Sequence, residues 1–304
     1  MYCFIIMNYT ILFKRILIVV LITTICYVLY YCVFASNENF ENSKNAIVVL
    51  TRGYDINEKY NTLIERNNNI YDKYYKLLNN KNDYDIIVFH EGNISEEQQK
   101  YIQTKTPDLP LIFTKVDFQN KVVNHEFCPN TKTSESFPMG YKNMCYFWSI
   151  SFLEYLKDYT YAIRVDEDCV IDTIDSNLIE NYKKENIMFA SARQEGTDDI
   201  SVTTGMKEFF KSYTEKHNIT PKTEKADVPY TNFMIVNIQY FRNNEDVKNV
   251  LYEIDKSECI FSNRWGDAPI WGYILCHLIE KNLYKTDTSI SYFHGSLNDR
   301  VNPH

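Results

Sequence analysis

Glycine and proline are scarce, with 8 of each among 304 residues. They nowhere gather into a linker that would divide the chain, and no segment repeats. A basic excess is missing too. The formal net charge is −8, which argues against a general nucleic-acid binder. No Cys-x-x-Cys pair and no cysteine–histidine cluster occurs, so the spacing of a structural zinc site is absent. Apolar side chains are plentiful, at 45% hydrophobic and 15% aromatic. That is ample for one sizeable core.

Ile16 to Phe34 (ILIVVLITTICYVLYYCVF) runs nineteen residues without a charge. As a helix it reaches roughly 28 Å, about the hydrocarbon thickness of a bilayer. Lys14 and Arg15 precede it, and Glu38 and Glu41 follow, which orients the N-terminus to the cytosol. A cleaved signal peptide is the alternative, with Val33 and Ala35 before a cut. Nineteen apolar residues exceed an ordinary signal core, so an uncleaved anchor is expected. The predicted organisation is a cytosolic tail 1–15, a transmembrane anchor 16–34, a short stem 35–45 and one lumenal domain 46–304. Beyond the anchor stand Cys128, Cys145, Cys169, Cys259 and Cys276, an odd number that allows at most two bridges. Asn93-Ile-Ser95 and Asn218-Ile-Thr220 are glycosylation sequons on the predicted lumenal side.

Past the stem, short apolar runs alternate with stretches of helical period. AIVVLTR (Ala46 to Arg52), DIIVFHE (Asp85 to Glu91), LPLIFTKV, Thr160 to Val165, NIMFASA and TNFMIVN read as strands. Asn57 to Asn79, the segment after Ser95, Tyr141 to Leu156 and APIWGYILCHLIEK read as helices. Ser95 and Gln98 have the spacing of a capping box. The alternation predicts an α/β fold whose sheet is mostly parallel and covered on both faces. In such sheets ligands bind beyond the carboxyl ends of the strands.

Asp166-Glu167-Asp168 falls in that place, after an apolar strand. Three adjacent carboxylates repel one another and resist desolvation. Either the turn is solvated, or something cationic neutralises it. A hard divalent cation, Mn²⁺ or Mg²⁺, would do so and leave coordination positions for phosphate oxygens. Further along, Arg264-Trp265-Gly266-Asp267-Ala268-Pro269 sits just before a helix, where Asp267 could serve as a cap or as a polar ligand. His294 follows the strand-like SYF near the C-terminus.

GYKNMCYFWS, YTYAIRVDEDCVI, NFMIVNIQYFR, RWGDAP and SYFH occur in this order and at spacing that resembles the fungal α-1,2-mannosyltransferases of glycosyltransferase family 15. The resemblance spans most of Ala46 to His294. It implies a type II membrane protein of the secretory pathway (Golgi or ER) whose lumenal domain has the GT-A fold, a Rossmann-like mixed sheet with helices on both faces. It implies transfer of mannose from GDP-mannose, with retention and Mn²⁺, to a glycan or glycoprotein acceptor. The family's Arg-Val-Glu-Pro-Asp is similar to Arg164 to Asp168. Asp166 and Asp168 then fall on its acidic positions and His294 on its late histidine, giving the implied metal ligands. Arg52 in the first-strand loop and Arg264 join Asp166 and Asp168 as implied nucleotide-binding residues. Tyr141 and Asp267 match active-site positions.

Two departures stand out. Met234 occupies the place of a Glu proposed as nucleophile in the family, and a thioether cannot do a carboxylate's covalent work. Glu195 is then a candidate replacement, unless departure and attack share one face. Tyr146 replaces an Arg usual after Met-Cys. Two other readings stay open: a different donor such as UDP-galactose or UDP-glucose, and a lumenal glycan- or nucleotide-binding relative that has lost catalysis.

Overall fold

The computed structural model describes residues 20–27, 44–118, 137–196 and 202–295. Residues 20–27 are helical. The rest of the expected anchor, the tail 1–15 and all but the last two residues of the stem 35–45 lie outside the described residues, as does Cys128. Among the described residues, no helix is long and apolar enough to cross a membrane. Lys44–His304 forms one compact unit.

The strands, in chain order, are β1 (Lys44–Thr51), β2 (Tyr84–His90), β3 (Leu111–Lys115), β4 (Tyr159–Val165), β5 (Cys169–Thr173), β6 (Phe189–Ser191), β7 (Gln194–Glu195), β8 (Val228–Pro229), β9 (Phe233–Asn237), β10 (Tyr284–Thr286) and β11 (Ser291–His294). Seven of them make one sheet in the order β10-β6-β9-β4-β1-β2-β3. β4, β1, β2 and β3 run parallel, and β10 runs parallel to β6. β9 is antiparallel to both its neighbours. The sheet is therefore mixed and mostly parallel, as the alternation predicts.

Side chains of successive strand residues take opposite faces. Ala46, Val48, Ala162, Met234 and Val236 join the core that holds Trp148, Trp265 and Trp271. Ile47, Tyr161, Ile163, Phe233 and Ile235 join a second core on the other side. The longer helices are α1 (Asn61–Lys73), α2 (Glu96–Lys105), α3 (Met139–Tyr146), α4 (Leu178–Glu185), α5 (Met206–His217), α6 (Glu245–Ser257) and α7 (Asp267–Leu278). α1 buries Leu63, Ile64 and Ile70 at helical spacing, and α2 starts in the expected Ser95–Gln98 capping box. After α3 the chain continues through a π-helical turn, Phe147–Ser151. Such turns re-aim side chains locally.

Two features of the topology position the site. Strands β1, β2 and β3 step one way across the sheet, while β4 joins β1 from the other side. The switch point, where open α/β sheets bind ligands, is thus between the carboxyl ends of β1 and β4. Separately, β11 pairs antiparallel with β5 and sets His294 opposite Cys169.

Candidate active site

A cleft of about 550 Å³ opens at this switch point, with Arg52, Tyr141, Arg164, Asp166, Glu167 and Asp168 among its walls. Each of the three consecutive carboxylates has a different partner, and that answers the repulsion posed by the sequence. Asp166 turns back onto Arg164, whose Nε and Nη2 donate to its two oxygens at 2.7 and 2.8 Å. Asp168 turns toward His294, with Oδ2 3.3 Å from Nε2. Glu167 turns toward β1 and accepts from Thr51 Oγ1 at 2.6 Å and from the Tyr54 hydroxyl at 3.0 Å.

Arg164 is the hub. Its side chain is only 4% exposed, lies 4.3 Å from the Trp148 ring and donates from Nη1 to Asp267 at 2.6 Å. Asp267 also accepts from Thr231 at 2.8 Å. One buried guanidinium thus joins the acidic turn to the first residue of α7. Burial opposes its charge, but Asp166 and Asp267 hold it above its ordinary value. Burial raises the Asp166 carboxyl, against the pull of Arg164. On the opposite face of the sheet Arg66, 0% exposed, donates to the carbonyls of Val48 and Val165. Burial pushes its guanidinium down to about 9, so it stays charged at neutral pH. Buried guanidinium groups thus stand on both faces of the strand end that carries the acidic turn, and only Arg164 pairs with one of its carboxylates.

The Asp168–His294 pair is more open, with side chains 44% and 37% exposed. Their mutual hydrogen bond holds Asp168 below the usual carboxylate range and His294 above the usual imidazole value. The Tyr230 hydroxyl lies 3.3 Å from His294 Nδ1, the kind of partner that orients a ligating imidazole. Cys169 sits with this pair, and burial raises its thiol above the ordinary value. A carboxylate with an imidazole suits Mn²⁺ or Mg²⁺, with positions left for phosphate oxygens. Asp166 is outside this group: both its oxygens face Arg164.

Arg52 lies 5.1 Å from the Tyr54 ring at the β1 side of the cleft. Arg264 lies over the rings of Phe137 and Tyr141 at 4.1 and 4.5 Å and donates to the Tyr141 hydroxyl. Its φ of 55° puts it in the left-handed region, uncommon for a non-glycine residue. Asp267 reaches the cleft through Arg164. Glu195 ends β7, and its side chain lies outside the described part. Met234 is 1% exposed and is registered across from Arg164 in β9, which puts both on one face. Tyr146 packs on Phe261 with ring centroids 5.5 Å apart. Trp148, Thr231, Tyr54, Tyr230 and Arg66 were not singled out in the sequence. Trp148 lies in an apolar run that reads as core, and isolated hydroxyls carry no pattern.

No family model matches the chain. It is 24% identical over 289 residues to the probable mannosyltransferase KTR3 of Saccharomyces cerevisiae, covering 84% of this chain and 66% of that protein. It is 26% identical over 168 residues to the probable mannosyltransferase MNT3 of Candida albicans, covering 51% of this chain and 44% of the other. The chain thus spans less than two thirds of the length of these curated relatives. In fold it is similar to core-mannan synthase A (CmsA/Ktr4) of Aspergillus fumigatus in its Mn/GDP form, at TM-score 0.70 and 18% identity over 84% of this chain and 75% of that one. The mannosyltransferase Ktr4p of S. cerevisiae gives TM-score 0.70 at 18% identity, covering 83% and 70% of the two chains.

Proposed function

We propose that the chain is a glycosyltransferase that moves mannose from GDP-mannose to a hydroxyl of a glycan or glycoprotein acceptor, using Mn²⁺ (or Mg²⁺). The observation that carries this reading is the open Asp168–His294 pair beside a cleft at the β1/β4 switch point. The similarity to probable mannosyltransferases supports it, as does the likeness to a structure holding Mn and GDP. The donor set fits the metal, since it offers one carboxylate and one imidazole already oriented by Tyr230. When bound there, the ion would act as a Lewis acid toward the diphosphate.

The protein's own groups do the rest. Arg164 hydrogen-bonds to both Asp166 and Asp267 and holds them aimed, so the walls of the cleft are set before a ligand arrives. Arg52 offers a cation at the β1 side, and Arg264 offers another beside Tyr141. Met234 is buried and has no carboxylate, so double displacement does not run through that position. Retention then follows if the acceptor attacks on the face from which the diphosphate leaves. The single feature favouring a binding-only relative is Met234.

The same reading assigns the catalytic unit to the lumen of the secretory pathway, tethered by residues 16–34. The flanking charges support it, and so does the disulfide-bonded Cys259, since disulfides persist in oxidising compartments. The test is transfer by the full-length chain across GDP-mannose, UDP-galactose and UDP-glucose with Mn²⁺. Asp168→Asn is expected to cut turnover about 100-fold or more and to abolish the metal dependence of GDP binding. Turnover equal to the parent in that variant would sink the metal assignment. A preference for a UDP sugar would replace the donor.

A further inference from the structure

Glu167 is the one carboxylate of the acidic turn that neither a buried arginine nor His294 accounts for. It stands at the switch point, and both groups that hold it are themselves fixed. Thr51 ends β1. Tyr54 is tied by its backbone N–H to the Tyr60 hydroxyl at 2.9 Å and by its carbonyl to Gln98 at 2.7 Å. Each Glu167 oxygen accepts one hydrogen bond from this pair. A carboxylate has about four lone-pair sites, so each oxygen can accept one more. The group lines the cleft and presents two pre-set acceptors to whatever enters.

We infer that Glu167 reads the ribose of the nucleotide, its two oxygens accepting from the 2′- and 3′-hydroxyls. The inference rests on the nucleotide-sugar reading above. Glu167 and Asp168 are consecutive, so their Cα atoms are about 3.8 Å apart, yet their side chains diverge. Asp168 goes toward His294, and Glu167 toward Thr51 and Tyr54. A diphosphate at the Asp168–His294 pair has the ribose as its next group, while the base lies one ring further on. A carboxylate accepting from ribose hydroxyls is a recurrent solution at switch-point crevices. The family that the sequence resembles has Pro here, which has no side-chain acceptor. The contact would be this chain's own addition.

The experiment is titration of the full-length chain, with Mn²⁺ present, by GDP, 2′-deoxy-GDP and inosine diphosphate. The parent should bind GDP about tenfold or more tighter than 2′-deoxy-GDP, the worth of one hydrogen bond to a charged group. Glu167→Ala, which loses both contacts, should weaken GDP by at least that factor and bring the ratio of the two nucleotides near one. Glu167→Gln, which keeps the shape and one acceptor, should recover part of that ratio. If Glu167→Ala weakens both nucleotides equally, the carboxylate only ties the loop and the inference is overturned. If instead Glu167→Ala weakens GDP but leaves inosine diphosphate, which keeps the ribose and lacks the 2-amino group, unchanged, Glu167 reads the base and the inference is again overturned. If the parent binds no nucleoside diphosphate, the functional reading itself fails and takes the inference with it.

Discussion

Removing the Arg164 guanidinium would leave Asp166 and Asp267 near one another, with side chains 26% and 10% exposed. Carboxylates that lose a buried partner are strongly destabilising, because their charge is left without hydration or a counter-ion. Arg164→Met, close in volume, is therefore expected to cost about 3 to 5 kcal/mol in chemical denaturation. Arg164→Lys should recover only part of this, since an ammonium cannot make the fork of bonds to Asp166 and also reach Asp267. Parent-like stability in Arg164→Met would show that the pair is not coupled as described. Met234 gives the opposite expectation. It is a buried filler in β9, so Met234→Leu should cost under about 1.5 kcal/mol and leave turnover unchanged. A large loss of turnover at retained stability would mean that the position takes part in the chemistry.

At the scale of elements, the loops after β1 and β2 meet at a glycine. A Cβ at Gly53 would lie 2.2 Å from the Asn93 carbonyl oxygen and 2.6 Å from the Asn93 Cγ. Backbone cannot yield to such an overlap without the two loops parting. Gly53 stands between Arg52 and Tyr54, which line the β1 side of the site. Gly53→Ala should thus cost about 1 to 3 kcal/mol and weaken GDP binding together with it, read by thermal melting and nucleotide titration. Parent-like GDP affinity in this variant would show that the loop's position does not matter to the ligand. The π-helical turn after α3 has a comparable role on the other wall. It carries Trp148, which packs over Arg164.

For the whole molecule, the expectations concern membrane and lumen. Asn93 and Asn218 are both exposed, so a lumenal orientation leaves their sequons open to the glycosylation machinery. The full-length chain made in a eukaryotic secretory host is expected to stay with membranes through alkaline carbonate and to shift in size on deglycosylation. Deletion of residues 16–34 should release it. Complete extraction of the full-length chain by carbonate would defeat the anchor.

Several parts of this protein follow from its sequence alone, because local physics determines them. The alternation of apolar runs and helical stretches predicts the parallel core of the sheet. Ser95 and Gln98 specify a helix start within four residues. Helix α6 is absent from the sequence reading, although Val247, Val250, Leu251 and Ile254 form one stripe behind an Asn244 cap. Asp168 and His294 could be suspected from residue type and from their places after strands. What the sequence could not decide was which charge each carboxylate would face. Asp166 and Asp168 look equivalent in a D-x-D triplet, yet Arg164 takes one and leaves the other open to His294. That choice depends on groups far apart in the chain, from Thr51 to Asp267. They meet only because β4 crosses to the far side of β1 and β11 folds back on β5. Pairing and desolvation are properties of that assembled crevice, and a linear pattern does not contain them.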